Sequence, residues 1–320
     1  MNYRAIWVNL FLVLLFFSGN VFAQTYAFKV LASKGNNTID GQAIKVGTQI
    51  SDNQTLIVSE GAYLSLAHHS GKAIEVPAGR HKVQDLSNKI AQNQSITAKY
   101  AKFVVNELTQ EEQNAAAARN RFQHMNKTGS VERDLVISSV RLWLPLNSML
   151  MGQQLLLKWS DVEKNPNATY QVQISDLSEK VLFSALTKEK ELLIDLVKAN
   201  LHNEPNFIVK VLPVDAASGK PKVLPEQIDG SILIKPENET VANLKAELAE
   251  IQKEFGNRSA IGKLAEANLF EENNMIANAL LAYEEALKIS GGVPQYKELY
   301  NSFLLRNAFL SADSLANLNK

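Results

Sequence analysis

Three four-residue runs, Thr55-Leu56-Ile57-Val58, Tyr63-Leu64-Ser65-Leu66 and Ala73-Ile74-Glu75-Val76, follow one another within residues 47–76, split by glycine-bearing turns. Runs that short, rich in β-branched and aromatic residues, restrict this part of the chain to a small antiparallel β-module. Alternation in Tyr26-Ala27-Phe28-Lys29-Val30 and in Leu56-Ile57-Val58 gives each strand one inward and one outward face. His69-Ser70-Gly71-Lys72 reads as a two-residue hairpin turn, its glycine supplying the positive φ such turns need, and Pro77-Ala78-Gly79-Arg80 reads as a second turn. Modules of this kind bind or hold partners more often than they catalyse.

Ahead of the module, Arg4 is the only charge before the apolar run Ile6–Phe17, which Ser18-Gly19-Asn20 breaks before the small-residue end Val21-Phe22-Ala23. This is the pattern of a secretory signal peptide over residues 1–23, with cleavage before Gln24. The run is shorter than the roughly 20 residues a bilayer span requires, so the mature chain is expected to be soluble and periplasmic, or secreted. Cysteine is absent, which excludes disulfides, thiolate metal sites, a cysteine nucleophile and a lipoprotein anchor. At 320 residues and 46% hydrophobic content, the chain can form two or three cores by packing alone. Acidic and basic side chains balance at 33 each, and losing Arg4 leaves 32 basic, so no charge excess recruits nucleic acid or an anionic membrane.

Gly47-Thr48-x-Ile50, Thr55-Leu56-x-Val58, Ala62-Tyr63-Leu64-Ser65-Leu66, the Ser70-Gly71-Lys72 turn and Ile74-Glu75-Val76 together resemble the FecR-like domain of Gram-negative periplasmic proteins. The resemblance covers residues 24–94. It implies a small β-sandwich or β-helix-like module that exchanges signals or partners in the periplasm. Regulatory members of that family carry an N-terminal anti-sigma segment and a membrane helix. Neither is read here, which argues against direct transcriptional signalling.

Residues 95–130 form a helical connector, with Ile96, Tyr100, Phe103, Val104 and Leu108 at helical spacing and a solvated second half to Met125. Residues 131–236 return to β texture. Leu155, Leu157 and Trp159 alternate with polar or outward positions, as do Tyr170, Val172 and Ile174, followed by Leu192-Ile194-Leu196, Phe207-Val209-Val211 and Ile232-Ile234. These runs predict an antiparallel β-sandwich that looks like a fibronectin type III or immunoglobulin-like domain. Val140–Leu146 is its expected first strand, kept at a sheet edge by Pro145. From residue 237 to 320 the pattern is helical. Ala267, Phe270, Ala279, Tyr283 and Ala286 fall at the spacing of a tetratricopeptide repeat, with Lys263 and Glu266 as departures. One repeat and a partial neighbour rarely stand alone, so this tail is expected to pack on the sandwich or on a partner.

Catalytic signatures are missing: there is no G-x-S-x-G, S-x-x-K, G-x-G-x-x-G, G-x-x-x-x-G-K-[ST] or H-E-x-x-H. His68 and His69 are consecutive on a predicted strand, so they are expected on opposite faces, and with His81 they do not make up a zinc or copper set. Asp161 and Glu163 read as solvated loop acids, and Glu284-Glu285 with Lys288 as an exposed helical face. No cofactor is expected. The candidate partner-binding residues are Tyr283, Tyr296 and Tyr300, which could line a peptide groove in the tail, and Trp143, which could stack on a sugar near a sheet edge. Inter-helix packing is the alternative role for Tyr283, and core packing is the expected role for Trp159. The expected function is that of an exported, non-enzymatic interaction or scaffold protein of the bacterial envelope, in periplasmic signalling. Its partners would be envelope proteins. The alternative is a carbohydrate or cell-wall binding protein.

Overall fold

The computed structural model describes residues 26–92, 105–106, 108, 140–161, 168–215, 218, 220–222 and 230–310. The export signal lies outside them, as does the connector apart from Val105, Asn106 and Leu108, which are helical. Within the described residues the chain is mixed: β-sheets make up the N-terminal and middle regions, and four of five helices lie in the C-terminal part.

The N-terminal region contains β1 (Phe28–Lys34), β2 (Asn37–Ile39), β3 (Gln42–Ala43), β4 (Gln49–Ile50), β5 (Thr55–Val58), β6 (Tyr63–His68), β7 (Ala73–Glu75), β8 (Gly79–Lys82) and α1 (Val83–Gln92). Two sheets form, ordered β4-β1-β6-β7 and β3-β2-β5-β8. Phe28, Val30, Ile50, Leu64 and Leu66 of the first sheet meet Ile39, Leu56 and Val58 of the second, and α1 closes one end with Val83, Leu86 and Ile90. The hairpin after β6 corrects the two-residue expectation. His68 N donates to Lys72 O at 2.7 Å and Gly71 N to His68 O at 2.9 Å, enclosing three residues. Gly71 at φ 85° supplies the left-handed residue that a three-residue loop places last.

Strands β1 and β6 are buried on both faces. Val30 and Leu66 point into the two-sheet core, while Leu31, Ala32 and Ala67 are buried in a second core shared with the C-terminal helices. A bulge between Val30 and Ala32 shifts the register of β1 against β6. This is how consecutive apolar residues come to serve two neighbours.

The middle region contains β9 (Val140–Leu142), β10 (Asn147–Met149), β11 (Gln154–Asp161), β12 (Thr169–Ser175), β13 (Val181–Thr187), β14 (Glu191–Asp195), β15 (Asn206–Val214) and β16 (Ser231–Ile234). Sheets ordered β10-β16-β15-β12-β13 and β14-β11-β9 share one core of Leu155, Leu157, Trp159, Tyr170, Val172, Ile174, Phe207 and Val209. Trp159 is 2% exposed and meets the Tyr170 ring edge-on at 5.5 Å. The single first strand expected over Val140–Leu146 is corrected. β9 ends at Leu142, and beyond Pro145 the chain enters the other sheet as β10, pairing parallel with β16. Proline lacks the N–H that would continue the first ladder, so the chain changes sheets there.

Helices α2 (Asn238–Phe255), α3 (Ala260–Glu272), α4 (Ile276–Ile289) and α5 (Pro294–Arg306) complete the fold. Gly256 at φ 83° ends α2. Ser259 caps α3 by accepting from Gly262 N at 3.0 Å. From Ala260 to Phe270 every α3 residue except Lys263 is buried, the burial of a helix enclosed by neighbours rather than laid on a surface. The core of these helices takes in Leu31, Ala32, Ala67 and Ala73 of the N-terminal region and Leu156 of the middle region. The helical region therefore lies between the two β-regions and packs on both.

Candidate functional site

Two seams result, and Tyr296, Tyr300 and Trp143 fall on them. At the N-terminal seam, Tyr296 on α5 is fully buried and its ring meets that of Tyr63 edge-on at 5.6 Å. The Tyr296 hydroxyl lies 2.8 Å from the Tyr63 hydroxyl and 3.0 Å from Ser65 Oγ. Tyr63 donates its one proton to Glu75 Oε1 at 2.7 Å. Tyr296 therefore donates to Tyr63 or Ser65, not to both. Glu75 Oε1 also accepts from Ile261 N at 2.8 Å, in the first turn of α3, where a carboxylate meets unpaired backbone donors and the positive end of the helix dipole. Burial holds the Tyr63 and Tyr296 hydroxyls well above the ordinary tyrosine range, and for Tyr63 the neighbouring Tyr296 and Glu75 act in the same direction. Lys34 Nζ donates to the carbonyl of Gly291, which precedes α5. The surface around this cluster is small: Ala32, Ala67 and Ala73.

The seam with the middle region is built differently. The turn between α3 and α4 docks on β10. Met149 N donates to Asn274 O at 2.8 Å, Ser148 Oγ donates to the same carbonyl at 2.9 Å, and Ile276 N donates to Ser148 Oγ at 3.0 Å. Asn278 accepts from Met151 N at 3.0 Å and donates to Met151 O at 2.7 Å, satisfying one residue's whole backbone. Lys158 bonds Glu284 of α4, lies 3.2 Å from Glu191, and sits 5.7 Å from the centre of the Trp143 ring. Tyr300 donates to Glu284 at 2.5 Å. Burial, then Glu284, pushes its hydroxyl far up. The exposed face expected for Glu284 and Glu285 is thus corrected: Glu284 reaches across to the sandwich and Glu285 lies 3.0 Å from Lys263. Lys263 and Glu266, the departures from the repeat pattern, pair with each other at 2.7 Å. A charge on a helix with no solvated face needs a partner nearby. Beside this pair a cleft of about 230 Å³ opens between Gly152–Gln154 and α3–α4.

The structure brings Tyr300 and Trp143 to the sandwich seam, sends Tyr296 to the other, and keeps Tyr283 between helices. Tyr283 is buried, packs 4.9 Å from Phe303, and donates to Glu271 at 2.8 Å, where Arg306 adds two hydrogen bonds. Trp143 is half-buried against the helical core, and its indole N–H points at Ser160 Oγ 3.5 Å away. Reading the sequence missed Glu75, Lys158, Glu284 and Asn278. Their signal is weak, because each is a polar residue whose partner across the seam lies at least 126 positions away.

His69 lies in the turn beyond β6, so alternation does not apply to it, and its ring centre is 4.0 Å from that of His68. This corrects the opposite-face expectation. His68 Nδ1 accepts from Ser70 N at 3.3 Å, and burial followed by the adjacent His69 lowers its pKa. Among the described residues no three metal-ligating side chains converge, and no helix is long and apolar enough to cross a membrane. No family model matches the chain, and no curated protein matches it significantly.

Proposed function

We propose that this chain is an exported, non-enzymatic interaction protein of the bacterial envelope. In this reading a FecR-like module and a fibronectin III- or immunoglobulin-like sandwich are held by a tetratricopeptide-like helical region. The observation that carries it is the helical region's use of two surfaces internally, against Leu31, Ala67 and Ala73 on one side and Leu156 on the other. Helices spent in this way fix two binding platforms on one body, which favours holding two partners at once. The four candidate residues then serve mainly to set that geometry, with Trp143 nearest the surface.

The test is a photo-crosslinking amino acid at Gln42, exposed on the N-terminal region, or at Leu186, 63% exposed on the sandwich, in the mature chain expressed in its native envelope. The expected result is a different specific protein at each position, recovered together in one complex. Crosslinks to glycan alone, with no protein at either position, would overturn the proposal in favour of the carbohydrate-binding alternative.

A further inference from the structure

We infer that the N-terminal β-region is held by a reversible clasp, in which Ser65, Tyr63 and Glu75 grip Tyr296 and the start of α3, and Lys34 grips the turn before α5. Three observations carry this. First, the N-terminal region closes its own core, since the two sheets and α1 bury Phe28, Ile50, Leu56, Leu64, Leu66 and Val83 among themselves. Undocking it breaks no sheet and leaves this core closed, while uncovering Leu31, Ala32, Ala67 and Ala73 of the shared one. Second, what the region gives to the seam is mostly small or polar: Ala32, Ala67, Ala73, Ser65, a phenol and a carboxylate, with Leu31 the one large aliphatic. Hydroxyls, a carboxylate and a helix-start N–H are groups that water satisfies once they part, and seams of such chemistry resemble interfaces between movable domains.

Third, the receiving helix follows two glycines at φ 67° and 74°, with open space around the Cβ position of Gly292. Their amides close the end of α4, Gly292 N donating to Leu287 O at 2.7 Å and Gly291 N to Lys288 O at 3.3 Å. Lys34 donates to Gly291 O, so the N-terminal region grips this turn as well as the helix beyond it. Tyr296 and Tyr300 stand one turn apart on α5, the first bound to the N-terminal region and the second to Glu284, which holds Lys158 of the sandwich. One helix, held in the helical core by Leu299, Phe303 and Leu304, therefore contacts both β-regions, through Tyr296 and through Tyr300. The clasp couples the two platforms.

The chain has no cysteine, so two can be placed at will. Spin labels at Glu60→Cys on the N-terminal region and Lys188→Cys on the sandwich, both exposed, report the distance between regions by double electron–electron resonance. Glu75→Gln combined with Tyr296→Phe removes the charge and one hydroxyl from the clasp. The expected result is a second, longer distance whose population rises roughly tenfold over the parent, the effect of losing the Tyr296 hydrogen bond and the charge that strengthens those to Glu75, together about 1.4 kcal/mol. Hydrogen exchange is read on the same sample, with amides of Leu56–Val58 and Leu155–Trp159 expected to stay protected. An unchanged single distance would show a permanent seam. Loss of protection in Leu56–Val58 would show that the N-terminal region does not fold by itself, and loss in Leu155–Trp159 that the sandwich depends on the contact. Each of these results overturns the clasp.

Discussion

The helical region holds its two neighbours by unlike means. Towards the sandwich it uses backbone: the α3–α4 turn bonds β10, and Asn278 takes both main-chain groups of Met151. Towards the N-terminal region it uses side-chain hydroxyls around Glu75, on a floor of alanines. A buried backbone group that loses its partner pays full desolvation, whereas a hydroxyl at an opening seam finds water. The first seam is therefore part of the fold, and the second is a joint.

The largest expected effect erases this contrast. Tyr63 and Tyr296 lie at the N-terminal seam, Tyr300 at the other and Tyr283 beside it among the helices, and burial raises the pKa of all four. The unfolded chain ionises its tyrosines from about pH 10 while the folded one resists. The contribution is thus intact below pH 10 and is lost as pH rises towards the folded values. Four such groups cost on the order of 5 kcal/mol at pH 11. Urea midpoints from pH 9 to 11 should fall steeply, and Phe at either pair should remove about half of the slope.

Single substitutions restore the contrast. Asn278→Ala should cost about 3 kcal/mol, because both Met151 backbone groups are left unpaired, and should lower the main unfolding transition. Tyr296→Phe keeps the ring and should cost about 1 kcal/mol, with exchange rising at Ile261 and Ser65 before the sandwich responds. If the two variants lower the same transition equally, the joint is as integral as the docked turn. Lys158→Met should cost no more than about 1 kcal/mol, since the pair it forms with Glu284 is partly solvated, and the effect should shrink in molar salt.

The smallest effect is on the acid side. His68 is held below its usual pKa, so its contribution is present above about pH 6.5 and declines as pH falls below it. His68→Gln should flatten the stability profile between pH 5 and 7, measured by thermal melts, and should leave the middle region unaffected.

Much of the β architecture was legible. Alternation placed Leu155, Leu157 and Trp159 on one inward face, and they are 0%, 0% and 2% exposed. The joint was barely legible. In Tyr63-Leu64-Ser65-Leu66-Ala67 the leucines mark the core, while Ser65 and Ala67 read as a solvent face, yet both are buried. Their small size was the one sign that something packs on them. Likewise, Glu284 beside Glu285 and ahead of Lys288 matched a solvated face, because an i,i+4 pattern carries no information about a lysine 126 residues upstream.

The sequence by itself determined that the middle region is built of strands and the C-terminal region of helices, because periodicity, glycine and proline act over a few residues. It also determined the inward faces of β11, β12 and β15. Only the tertiary structure decided that β1 and β6 face two cores, that Glu75 meets the start of α3, and that Tyr296 and Tyr300 serve opposite neighbours. Those outcomes depend on shape and charge matching between segments 126–233 positions apart, which no local pattern encodes.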